Sequence, residues 1–80
     1  MPKLKADGDT WSARIGEKPS GPQLQAVVFF CVTNGQRPYR VVEVPLTRIA
    51  GEDVLDGLSA EELKTLFDES TSMNHLRTYP

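Results

Sequence analysis

The chain has 80 residues, 39% hydrophobic and 25% charged, with nine Lys and Arg against eleven Asp and Glu. That length holds one small domain and no second core, and the composition is globular rather than that of a disordered tail. A net charge of −2 lacks the strongly basic balance of a non-specific nucleic-acid binder. The single cysteine, Cys31, excludes an internal disulfide and a multi-cysteine zinc site.

Residues 1–9 carry Lys3 and Lys5 but no apolar stretch, so they read as a flexible N-terminal arm with no secretory signal. From Thr10 to Ile15 the pattern alternates, with Trp11, Ala13 and Ile15 on one side and Thr10, Ser12 and Arg14 on the other. That period of two predicts a half-buried strand. Two prolines and two glycines between Gly16 and Pro22 predict a loop. Residues 23–33 then form the strongest strand signal, with Val27, Val28, Phe29, Phe30 and Val32 in a breaker-free run. The apolar run at 26–32 is far shorter than the roughly 20 residues that cross a bilayer as a helix. No membrane partner is expected, and the cytoplasm is the expected location.

Asn34-Gly35 separates this run from a second β-branched one, Tyr39 to Val44, which is a hairpin signal because both turn residues tolerate positive φ. Pro38 opposes the tightest version, since opposite Cys31 it has no N–H to give the ladder. A loop of three to five residues ending near Pro38 is therefore expected, with Pro45 closing the strand. Two registers stay open. An even loop groups Ala26, Val28, Phe30 and Val32 with Tyr39, Val41 and Glu43, and groups Val27, Phe29 and Cys31 with Arg40, Val42 and Val44; an odd loop exchanges the partners.

Beyond the sheet, residues 51–57 suggest a short helix around Val54 and Leu55. Ser59 and Glu62 form a capping box, and Leu58 and Leu63 stand where a hydrophobic staple places them. The helix is predicted from Ala60 to about Glu69, burying Leu63, Leu66 and Phe67, with residues 71–80 as a C-terminal tail. The expected fold is thus α+β: a three-stranded antiparallel meander followed by a short helix and a longer one on one face, all within residues 10–70.

Charge divides along the chain. Six basic residues face four acidic ones in residues 1–45, whereas residues 46–70 hold Arg48 and Lys64 against seven acids. Such an asymmetry marks an interaction surface or follows from acids placed at helix starts, the favoured reading.

No motif for catalysis stands out. Cys31 and His75 are the only residues of their kinds, but a thiol in an apolar strand is an inert small hydrophobe. The acids Glu52, Asp53 and Asp56 lack the ligand pattern of a calcium loop, and the glycines match no phosphate-binding fingerprint. Glu43, alone among the acids in lying within an apolar strand, reads as an edge residue reaching solvent or pairing with an arginine. No enzyme activity, metal or cofactor is expected, and a small-molecule ligand is left undefined.

The remaining signal is association. A central strand apolar on both faces leaves one face bare when a single helix covers the other. The expected function is a small non-enzymatic protein–protein interaction module, homodimeric or engaging another protein through that face or a sheet edge, with Val27, Phe29, Tyr39 and Arg40 at the interface and Arg37 at its rim. The alternative is single-stranded nucleic-acid binding, with Trp11 and Tyr39 as stacking platforms and Arg37 and Arg40 neutralising the backbone.

Overall fold

The computed structural model describes residues 2–16 and 21–73. The elements run β1 (Lys3–Ala6), β2 (Asp9–Ile15), β3 (Leu24–Cys31), β4 (Arg40–Pro45), α1 (Glu52–Asp56), α2 (Ala60–Glu69) and β5 (Thr71–Ser72). The strands form one antiparallel sheet in the order β1-β2-β3-β4-β5. The α+β class and both helices are as expected, but the sheet has five strands, not three. The two added strands come from the segments read as an arm and a tail. Most of the loop expected at residues 16–22, and His75 with the rest of 74–80, lie outside the described residues.

β1 exists because Asp7 and Gly8 make a tight turn. Both have positive φ, 53° and 78°, and they connect Ala6 to its partner Asp9. Positive φ at both central positions defines the type I′ geometry that matches strand twist, and Asp-Gly is one of its preferred sequences. Leu4 and Ala6 then alternate inward onto the core while Lys3 and Lys5 stay exposed.

The β3–β4 register is the even one, with Val28 opposite Val41 and Phe29 opposite Arg40. The Leu46 N–H donates to the Gln23 carbonyl, so doubly bonded pairs recur at Val44–Gln25, Val42–Val27 and Arg40–Phe29. Next in that series comes Pro38 opposite Cys31, a position that needs an N–H. Pairing stops there, and the connection spans residues 32–39, longer than the three to five expected.

The two helices pack on one face only. Leu4, Trp11, Ala13, Val27, Phe29 and Val44 of the sheet close on Ile49, Leu55, Leu63, Leu66 and Phe67. Trp11 and Phe29 both meet the Phe67 ring edge-on, at centroid distances of 4.9 and 5.4 Å. α2 starts as predicted: the Glu62 N–H donates to Ser59 Oγ at 3.2 Å, and the Ser59 N–H donates to Glu62 Oε1 at 3.0 Å. Those bonds hold the Glu62 carboxyl below its ordinary range. Ser59→Ala is expected to cost about 1 kcal/mol, read as a lowered urea midpoint at unchanged slope.

Candidate interaction surface

The uncovered side of the sheet carries the other half of every strand. Ser12, itself buried, Phe30 and Tyr39 lie in one row across it, and Arg14, Val28 and Val41 in the next. Phe30 is 41% exposed, Tyr39 36% and Val32 52%, while Val28 and Val41 are half-buried. The Phe30 and Tyr39 rings stand 5.9 Å apart, tilted by 37°. A Cβ on Gly16 would come within 2.8 Å of the Val28 Cγ2, so glycine there leaves room for the Val28 side chain. Lys3, Lys5 and Arg14 border this apolar stripe on the β1 and β2 side, and Glu43 stands on the β4 side.

Five of the six residues singled out from sequence are placed elsewhere. Val27 and Phe29 are fully buried under the helices, because the even register sends the odd-numbered side chains of β3 to the core. Trp11 is 1% exposed, and its Nε1–H donates to the Ala6 carbonyl at 2.9 Å. The Arg40 guanidinium lies 4.8 Å over the Phe67 ring and donates to Ser70 Oγ and to the Ser70 carbonyl, both at 2.7 Å. It therefore ties the end of α2 to β4, where Arg40 and Val41 pair with Ser72 and Thr71 of β5.

Arg37 is a clasp rather than a free rim charge. Its guanidinium sits 4.9 Å over Trp11 and donates to Asp9 Oδ2 at 2.7 Å and to the Asp7 carbonyl at 3.2 Å. The Thr33 hydroxyl donates to the other oxygen of Asp9, also at 2.7 Å. Together these bonds fasten the β3–β4 connection to the β1–β2 turn. The Arg37 hydrogen bond, seconded by that of Thr33, holds the Asp9 carboxyl below its ordinary range. A carboxylate depressed in the folded state stabilises it above the usual aspartate value and loses that contribution as pH falls through the lowered one. The Trp11 indole N–H resonance is expected to report clasp opening in an acid step below the usual aspartate range, and Asp9→Asn to remove the step.

Of the residues singled out from sequence, only Tyr39 stands on the bare face. Val28, Phe30, Val32 and Val41 join it there and were not singled out. The nucleic-acid quartet is not brought together on one open surface, since three of its members are engaged inside the fold. Cys31, half-buried, has its Sγ 3.6 Å from Thr33 Oγ1. Among the described residues no three His, Cys, Asp or Glu side chains converge as a metal site requires, and no helix is long and apolar enough to cross a membrane. The clefts are shallow surface features; one of about 310 Å³ is lined by Phe30, Cys31, Gly35, Arg37 and Tyr39.

Fold and surface together define a two-layer α+β domain with helices on one face of its sheet and an aromatic–aliphatic stripe on the other. No family model matches the chain, and no curated protein or solved structure matches it.

Proposed function

We propose that this domain is a non-enzymatic protein–protein interaction module that pairs with a second copy of itself through the bare sheet face. The observation that carries the reading is the exposed Phe30–Tyr39 pair flanked by Val28, Val32 and Val41. An apolar sheet face of this kind suits sheet-on-sheet packing, in which side chains of two inner faces interdigitate. A two-fold axis running along β3 sets the β2 side of one copy over the β4 side of the other, so Arg14 approaches Glu43 of the second copy. Isologous contacts of this type are the commonest route to closed oligomers.

The same two rings support a second reading. Exposed aromatics on a sheet, bordered by Lys3, Lys5 and Arg14, resemble a stacking surface for single-stranded nucleic acid. The net charge of −2 favours the protein partner.

A dilution series followed by methyl NMR tests both. Self-association shifts the Val28 and Val41 methyl signals with concentration and leaves those of Val27 and Val44 in place. Constant signals at all concentrations, with shifts on adding oligonucleotide that vanish in salt, transfer the surface to the second reading.

A further inference from the structure

We propose that the free edge of β1 takes up an extended segment of another protein in which acidic and apolar residues alternate. Among the described residues no strand lies beyond β1. The Ala13 N–H donates to the Pro2 carbonyl at 2.9 Å, which fixes the phase of the ladder. Leu4 and Ala6 turn their backbone groups to β2, at Trp11 and Asp9, while Lys3 and Lys5 turn theirs outward. An added strand thus finds two sets of backbone donors and acceptors two residues apart, the arrangement that strand addition uses.

The side chains on this edge specify the guest. Lys3 and Lys5 project to the outer side of the sheet, and the buried Leu4 and Ala6 project to the core. Directly opposed residues of neighbouring strands lie close enough for like charges to repel and opposite charges to attract. A second copy of β1, antiparallel, sets lysine against lysine; that protects the edge from self-pairing and distinguishes this contact from the homodimeric face. Acids at alternate positions meet both lysines, and apolar residues between them continue the row of Leu4 and Ala6. The cleft beyond the Ala6 end is lined by Lys5 and by Lys64, the latter paired with Asp68, and its two acids, Asp7 and Asp9, are both paired with Arg37.

Two fluorescent nine-residue peptides, one alternating glutamate with valine and one alternating lysine with valine, test the proposal by anisotropy. The acidic peptide is expected to bind at least tenfold more tightly, and Lys3→Glu with Lys5→Glu to reverse the preference. Bound peptide slows hydrogen exchange at the Lys3 and Lys5 amides, whereas Leu4 and Ala6 are already slow in the free protein. Should the double reversal compromise folding, Lys5→Pro removes an outward-facing donor together with one of the two charges, leaves the bonds to β2 in place, and is expected to abolish binding. Phe30→Asp leaves peptide binding unchanged, which separates this edge from the sheet face. Equal affinity for both peptides, binding of neither, a preference that survives charge reversal, or protection at residues 28–30 in place of 3–5 overturns the proposal.

Discussion

Phe29→Asp unfolds the domain, whereas Phe30→Asp leaves it folded, although the two positions are adjacent in one apolar strand. Phe29 is fully buried and packs edge-on against Phe67, so its replacement removes ring contacts and places a carboxylate where nothing solvates it. Truncating a buried Phe to Ala alone costs about 3–5 kcal/mol, and an unpaired buried charge adds to that. A small domain holds roughly 5–15 kcal/mol in total and sits toward the lower end of that range. The variant is expected to lose its far-ultraviolet signature of sheet and helix at 25 °C. Phe30 is partly exposed on the other side, and its substitution removes surface area without opening a cavity. A folded Phe29→Asp variant contradicts the face assignment.

Trp11→Ala carries the second large effect. The indole is a shared support: Phe67 packs against it, Arg37 lies over it, and its N–H satisfies the Ala6 carbonyl. Truncation is expected to cost about 3–5 kcal/mol and to release the Arg37 clasp at the same time. Trp11→Phe keeps much of the ring packing but removes this donor from the Ala6 carbonyl, which keeps its ladder partner Asp9, a loss of about 0.5–1.5 kcal/mol. Urea unfolding orders the three proteins accordingly. If Trp11 served as a solvent-facing stacking platform, both variants would instead keep wild-type stability.

The elements that local chemistry specifies were legible in the sequence. The Ser59–Glu62 capping box starts α2 at Ala60, and the alternation from Trp11 to Ile15 places β2 with the correct face inward. β1 was within reach, because Asp7-Gly8 is the same kind of hairpin signal as Asn34-Gly35. It was obscured by its brevity and by two lysines that resemble a loose arm. β5 carries no local signal: its two residues are held by pairing to β4, next to Ser70, which Arg40 anchors.

The interaction face was misassigned because β3 is apolar on both sides and so has no alternation of its own. Glu43 supplied the missing phase. It alternates with Val42 and Val44, so the set containing Glu43, which includes Phe30 and Tyr39, is the solvent side in the even register. The inward turn of Arg37 and Arg40 onto Trp11 and Phe67 has no counterpart in the sequence pattern. Cations over buried rings are a product of tertiary packing, and on sequence alone both arginines read as solvated charges.

The most direct test of the account is sedimentation equilibrium of the wild-type chain beside Phe30→Asp, at micromolar to hundred-micromolar concentration in low and moderate salt. A dimer is expected for the wild type in both salts, and a folded monomer for the variant. A wild-type chain that stays monomeric throughout, or a variant that dimerises as well as the wild type, contradicts the bare sheet face as the surface through which this protein associates.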